Sequence, residues 1–292
     1  MLCIVTAGFI LAAGFGTRLR PLTEYLAKPL LPIGDRSAIS HVASSVRACS
    51  LTSIAANAHF RSTEVAHEAE ALGLMVSHED ELLGTAGGVR KAWTLLAGES
   101  PNSNLLVATC DVLTRASFAS LLDVAGVDAA LMIEPRPYGE GNVGVDREGL
   151  IVRFRSEVLR SGEVSGGLSL GVQCLSARMW EHLPTKGCLV TDLYMPQIRA
   201  GSRVRAQETH ETWTDVGTFT HYIAANIEWL GPRALWVGAN AHVEGSTLHN
   251  VVVGEGATLF PGAYRNCVVL PGARVAQPGK NRVYWGDTFV DV

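Results

Sequence analysis

The sequence has no apolar run long enough to cross a bilayer, which takes about 20 residues. Its apolar opening, Met1 to Ala13, is too short for that and lacks the basic start of a secretion signal. Charge is sparse as well: only 18% of the 292 residues are charged, and 24 Lys and Arg against 28 Asp and Glu leave a net charge of −4. With no basic block anywhere, nucleic acid is not an expected partner, and neither is a membrane. The six cysteines (Cys3, Cys49, Cys110, Cys174, Cys188 and Cys267) form no Cys-x-x-Cys pair. That excludes a disulfide framework and fits small buried hydrophobes in a reducing, cytoplasmic compartment. The nine histidines show no spacing with cysteine that would suit zinc. Two common phosphate-binding patterns are also missing. No Gly-Lys-Ser/Thr occurs, and the third glycine of a Gly-x-Gly-x-x-Gly turn is replaced by Leu19. The nearest acid that could hold a ribose, Asp35, precedes a helix rather than ending a second strand, so a dehydrogenase is disfavoured.

What is present begins at Leu11-Ala12-Ala13-Gly14-Phe15-Gly16-Thr17-Arg18-Leu19-Arg20-Pro21, followed by Lys28-Pro29. A glycine-rich turn after an apolar strand lets backbone N–H groups approach phosphate oxygens, and an arginine and a lysine neutralise charge that amides alone cannot. The pattern predicts a nucleoside triphosphate as ligand. Since this chemistry starts so early, Met1 to Thr6 are expected to be a loose extension.

Up to about residue 230, short apolar runs alternate with helical patterns, which predicts a doubly wound α/β domain with a mainly parallel sheet. Strands are expected at Phe9–Ala13, Ser53–Asn57, Met75–His78, Leu105–Thr109 and Ala129–Glu134. Ser62 is placed to cap a helix whose Val65, Ala69 and Leu72 share a face, with Gly73 ending it. Val143–Asp146, a turn at Arg147-Glu148-Gly149 and Leu150–Phe154 read as an antiparallel hairpin, one wall of a substrate cleft. A last helix, Thr218 to Trp229, is broken by Gly231-Pro232. Beyond it, aliphatic residues followed by Gly-x-Ala recur, with longer returns from Val237 to Val253 to Leu270. Such repetition suggests a solenoid of parallel β coils. The expected division is therefore a catalytic domain, 1–231, and a tail, 232–292.

Two acids stand out. Asp111 follows an apolar strand, at the end where open α/β sheets place ligands. Asp215 lies in Trp213-Thr214-Asp215-Val216-Gly217-Thr218, just ahead of the last helix, where a helix N-terminal cap is one reading. His41, His59 and His78 read as structural residues.

The glycine turn, Lys28-Pro29 and the Trp-x-Asp-x-Gly-Thr frame together resemble the sugar-phosphate nucleotidyltransferases, the nucleotide-sugar pyrophosphorylases, and most closely the mannose-1-phosphate guanylyltransferase type. The resemblance implies a Rossmann-like doubly wound mixed sheet followed by a short left-handed parallel β-helix of hexapeptide repeats. It implies nucleotide contacts at Leu11, Ala13, Gly14, Gly16, Thr17, Glu79, Gly84 and Thr85, catalytic roles for Arg18 and Lys28, and a divalent cation, Mg²⁺, on Asp111 and Asp215. Glu79 is the side chain suited to a base edge, because a carboxylate accepts from the N1–H and amine of guanine and repels O4 of uracil. Gly141 and Asn142 are the candidates for the sugar. The family's Glu-Lys-Pro after the hairpin is absent, with Arg155-Ser156-Glu157-Val158 in its place, and Ser169-Leu170-Gly171-Val172 replaces an Asn-Ala-Gly stretch.

The activity so implied transfers a nucleoside monophosphate from GTP to a sugar 1-phosphate of the mannose type, with UTP or dTTP and a glucose or N-acetylmuramate type sugar as the alternative. Rivals from other classes are a hexapeptide-repeat acyltransferase, with His242 or His249 as base, and a non-catalytic nucleotide-sugar sensor. The tail's open final coil is expected to leave strand edges that pack on the catalytic domain or on another copy of the chain, as a homo-oligomer.

Overall fold

The computed structural model describes residues 5–51, 53–97 and 103–292. Met1 to Ile4, with Cys3 and most of the expected extension, lie outside the described residues, whereas Val5 and Thr6 belong to the first strand. Contacts group the chain into two compact units, each interleaved in sequence: Met1–Gly14 with Val42–Trp213, and Phe15–His41 with Thr214–Val292.

In the first unit, Asn104–Thr109, Val5–Leu11, Ser53–Ala58 and Met75–His78 lie side by side in that order, all parallel. Leu105, Leu106, Val107 and Ala108 are all buried, as strands covered on both faces require. The helix Gly84–Ala97 covers part of this sheet through Ala86, Val89, Ala92 and Trp93, which pack with Phe9 and Val107. Beyond Asn104–Thr109 the sheet turns antiparallel. The long strand Glu163–Leu175 pairs with it, with Ala129–Arg136 and with Val143–Asp146, so the sheet is mixed rather than mainly parallel. The expected hairpin forms, with Ile151 opposite Val145 and Phe154 opposite Val143. Its turn is held by Asp146 Oδ1, which accepts from Glu148 N and Leu150 N, both at 2.9 Å.

Two local expectations need correction. The first strand ends at Leu11 rather than Ala13, because Ala12 N donates to the side chain of Asn57 at 2.6 Å instead of to a strand ladder. Ser62 is the first residue of its helix and not the cap, a position held by Arg61 in the left-handed region at φ 48°.

The second unit joins the segment after the glycine turn to the last helix and the tail. The helix Phe219–Leu230 is capped by Thr218, whose hydroxyl accepts from His221 N at 3.2 Å, so Asp215 is not its cap. The helix holds the segment 32–34 through Tyr222 Oη, donating to Pro32 O at 2.8 Å, and Asn226 Oδ1, accepting from Gly34 N at 2.9 Å. In the tail, Leu235–Val237, Ser246–Val253, Gly262–Val269 and Lys280–Trp285 stack as parallel strands. Thr258–Leu259 pairs in parallel with Arg274–Val275. The return runs from Val237 to Val253 to Val269, one residue earlier than the Leu270 suggested by the sequence. Val251, Val253, Leu259, Tyr264, Cys267, Val269 and Tyr284 fill the interior. Within these strands, at residues of positive φ, Asn250 Nδ2 donates to Asn266 Oδ1 at 3.1 Å and Asn266 Nδ2 to Asn281 Oδ1 at 3.0 Å, a side-chain ladder that fixes the stacking. The final coil is not left open, because Thr288–Asp291 folds back antiparallel on Lys280–Trp285 and covers its edge.

Candidate active site

In the first unit, Leu11 is in register with Thr109, Ile10 with Ala56, and Ala58 with His78, so four parallel strands end along one rim. The chain passes from Val5–Leu11 to Ser53–Ala58 and Met75–His78 on one side and then crosses back to Asn104–Thr109 on the other, so the gap between Val5–Leu11 and Asn104–Thr109 is where the winding reverses. Open α/β sheets bind ligands at such a switch point. Leu11, Ala13 and Gly14 leave the first rim strand, and Asp111, partly buried, follows Thr109 after a turn fixed by Cys110 N donating to Leu11 O at 3.0 Å. A Cβ at Gly14 would meet nothing within 4 Å, so its backbone faces open space.

Glu79 follows the last rim strand and is 4% exposed. Its Oε1 accepts from Asn57 Nδ2 at 2.6 Å and its Oε2 from Leu83 N at 3.1 Å, while Asn57 Oδ1 accepts from Ala12 N. A carboxylate offers about four lone-pair sites, so roughly two are left for a ligand. Sequence reasoning placed Asn57 only as a strand residue; a polar side chain ending an apolar strand was the available signal. Asn57 ties three strand ends together and thereby sets the start of the glycine turn. Replacing it with leucine strands Ala12 N–H and removes a donor from Glu79, which is expected to cost about 1–3 kcal/mol. Urea unfolding measures this, and a change below about 0.5 kcal/mol would contradict the account.

Gly84 and Thr85 are bound to the segment around Gly187. Gly187 N donates to Leu83 O at 2.9 Å, Ala86 N to Gly187 O at 2.9 Å, and Leu189 N to Thr85 Oγ1 at 2.8 Å. Close backbone approach accounts for the small residues here. Gly141, at φ 74°, would drive a Cβ to within 2.1 Å of Gly167 O, and Asn142 Oδ1 accepts from Ser169 N at 2.8 Å. This loop is gripped from inside by Arg153, a residue the sequence reading missed. Its guanidinium donates to Glu163 at 2.8 and 2.9 Å and to the carbonyls of Glu140, Val143 and Arg155 at 3.2, 3.1 and 2.6 Å. The Arg153 side chain is 9% exposed and that of Glu163 12%. The hydrogen bonds from Arg153 hold the Glu163 carboxyl below the usual carboxylate range.

In the second unit, Gly16 takes φ 63° and opens a 3₁₀ turn, Thr17–Leu19. Its carbonyl accepts from Leu19 N at 2.9 Å and Thr23 Oγ1 at 3.0 Å. Thr17 is exposed beside it. Arg18 reaches Asp215 Oδ2 at 3.7 Å, and Lys28 Nζ lies 4.0 Å from Asp215 Oδ1. The Lys28 side chain is only 12% exposed, so its charge is held largely out of water. Gly217 leaves room for this cluster, since a Cβ there would come within 2.7 Å of both Arg18 terminal nitrogens and of Asp215 Oδ1. His221 Nδ1 at 3.0 Å from Asp215 O and Gly217 N at 2.7 Å fix the backbone around the carboxylate. In the first unit, Trp213 of the same frame donates from Nε1 to Glu134 Oε2 at 2.9 Å. Sequence reasoning named Arg18, Lys28 and Asp215 singly; the structure brings the three together.

One unit carries a parallel sheet whose rim ends in backbone and carboxylates, and the other a glycine turn with convergent cations; each is a feature of nucleotide-handling α/β proteins. Residues 7–156 match the family model described as nucleotidyl transferase, and the chain belongs to that family. It is 28% identical over 293 residues to the Oryza sativa subsp. japonica protein named "Probable mannose-1-phosphate guanylyltransferase 1", covering 92% of this chain and 79% of that one. The Mycobacterium tuberculosis mannose-1-phosphate guanylyltransferase is 25% identical, over 91% of this chain and 80% of its own. Among solved structures, HddC from Yersinia pseudotuberculosis complexed with GMP-PN shares the fold, with a TM-score of 0.63 at 16% identity over 77% of this chain and 100% of that one. No helix among the described residues is long and apolar enough to cross a membrane.

Proposed function

We propose that this protein, a sugar-1-phosphate nucleotidyltransferase, joins the guanylyl group of GTP to mannose 1-phosphate and releases pyrophosphate. The observation that carries the reading is the cluster of Arg18, Lys28 and Asp215 next to the Gly16 turn. The guanine and mannose choices draw their support from the names of the relatives.

An oxygen of the sugar phosphate forms a bond to the α-phosphorus, and the bond from that phosphorus to the bridging oxygen breaks, its electron pair leaving with pyrophosphate. The attacking oxygen is already anionic near neutral pH, so no general base is required. Lys28 and Arg18 offset the repulsion between the two anions and the charge that grows on the transferred phosphoryl group. Gly14, Gly16 and Thr17 orient the triphosphate, with Leu11 and Ala13 beside it. Glu79, through its remaining lone pairs, with Gly84 and Thr85, takes the base, and Gly141 and Asn142 take the sugar.

Nucleotidyltransferases of this type use a divalent metal, and we assign Mg²⁺ to Asp111 and Asp215. The donor chemistry fits: both are carboxylates, the hard oxygen ligands that such an ion takes. Bound there, the ion supplies charge stabilisation and alignment of phosphate oxygens. We further read 1–231 as the catalytic domain, 232–292 as a left-handed hexapeptide-repeat β-helix that serves contacts between copies of the chain, and the compartment as the cytoplasm.

Pyrophosphate release over a grid of GTP, ATP, UTP and dTTP against several sugar 1-phosphates tests the reading, with Asp111→Asn as control. The GTP and mannose 1-phosphate pair is expected to give the highest kcat/KM. A preference for UTP or dTTP overturns the base assignment, and no release with any pair overturns the enzyme.

A further inference from the structure

We propose that the tail carries a second anion site, for a small ligand bearing linked phosphate groups, in the groove where His249, Arg265 and Lys280 line up across three neighbouring strands. In the parallel ladder His249 stands opposite Arg265, and Arg265 opposite Lys280. Strands lie about 4.8 Å apart, so the three side chains form a column spanning roughly 10 Å. All three are exposed. The groove they share has a volume of about 450 Å³ and is completed by Thr247, Ala263, Tyr264 and Gly279. Ala263 and Gly279 are small and leave a depression between taller neighbours, and the volume falls in the range of small-ligand sites.

The electrostatics give the column its direction. Like charges placed directly opposite on adjacent strands repel, so Arg265 against Lys280 is a standing cost to the fold. Among the described residues neither has an ion-pair partner, nor does His249. A neighbouring cation is treated differently: Arg282 is neutralised by Asp291 at 2.5 Å and its guanidinium lies 4.2 Å from the centre of the Phe289 ring. An anion with two linked phosphates removes the repulsion by touching both cations at once, and His249 and the Thr247 hydroxyl add hydrogen-bonding groups. A single phosphate cannot span the column.

Its length sets the size of the occupant. The strand Leu235–Val237 pairs with Val251 to Val253 and does not extend the column past His249. On the other side the covering strand Thr288–Asp291 ends in an acid. That acid stands opposite Arg282 and is paired with it, and the column itself ends at Lys280, so three groups over this span fit a pyrophosphate or the phosphate chain of a nucleotide. The inference stands apart from the catalytic reading, since it uses neither Asp111 nor the Gly16 turn.

The test follows the His249 ring resonances by NMR in the full chain, assigned with His249→Gln, on titration with pyrophosphate, GTP and orthophosphate. A saturable shift with pyrophosphate, weakened about tenfold or more in Arg265→Glu/Lys280→Glu, is the expected result. GTP binding more tightly than pyrophosphate would make the nucleoside part of the ligand; equal binding would make the linked phosphates sufficient. Both outcomes uphold the site. It is overturned if no polyphosphate moves the resonances, if orthophosphate moves them equally, or if the double variant responds as the parent does. Both exchanged side chains are exposed, so an unchanged Tm is expected; should it fall, Lys280→Gln is read in the same way.

Discussion

Asp215→Asn is expected to lower kcat by about 10²–10³-fold while leaving the stability of the fold nearly unchanged. The carboxylate sits between Arg18 and Lys28 at 3.7 and 4.0 Å, with its side chain 32% exposed. Pairs of that length and exposure contribute less than about 1 kcal/mol to folding. The backbone contacts that shape the segment, from His221 and Gly217 to the carbonyl of Asp215, survive the exchange. What is lost is one negative charge, and with it the group that holds the two cations and the ligand proposed for the metal. Single-turnover assays across a Mg²⁺ series would show a raised metal requirement together with the fall in rate. Turnover within about threefold of the parent would remove Asp215 from the reaction centre.

Arg153→Met should produce the largest loss of stability. It removes every hydrogen bond to the carbonyls of Glu140, Val143 and Arg155 and leaves Glu163 enclosed without its cation. Breaking a buried pair from one side costs about 3–5 kcal/mol, because the remaining charge loses its cation and keeps only the Gly139 N–H, at 3.1 Å, and little water. The pH dependence has a definite sign. In the parent the folded-state pKa of Glu163 lies below its unfolded value. The pair's contribution is therefore complete above the unfolded value and is lost as pH falls through the lower, folded one. In the variant that contribution is gone, and burial favours the neutral acid instead. Denaturant unfolding at neutral and acidic pH measures both effects: the gap between the two proteins should narrow toward low pH. The loop bearing Gly141 and Asn142 is released at the same time, so KM for the sugar phosphate should rise with KM for the nucleotide unchanged. A loss under about 1 kcal/mol would show that the clasp is dispensable.

The frame was legible because its signals are local. Alternating apolar runs gave the strands, and the Arg147-Glu148-Gly149 turn gave the hairpin, since each depends on neighbours in sequence. The mixed character of the sheet came from the family resemblance and not from the alternation of runs, because nothing in Glu163–Leu175 itself says that it will pair antiparallel with Asn104–Thr109. For the site, residue types and spacing singled out Arg18, Lys28 and Asp215, but the convergence of the two cations on one carboxylate is a tertiary fact. Asn57 and Arg153 escaped notice for the same reason. Their work is done by hydrogen bonds to remote main chain, and a lone Asn or Arg leaves no periodic trace. The closing strand Thr288–Asp291 was missed because the repeat stops before it, which left the final coil with a free edge on paper only.

The second unit joins Phe15–His41 to Thr214–Val292, so one compact body is built from segments far apart in translation. Arg18 and Lys28 emerge from the ribosome early and meet Asp215 only after most of the polypeptide has followed. A nascent chain stalled anywhere before residue 215 carries the phosphate turn and its cations but cannot assemble the triad. If the three act as proposed, competence for chemistry waits on Asp215 joining Arg18 and Lys28.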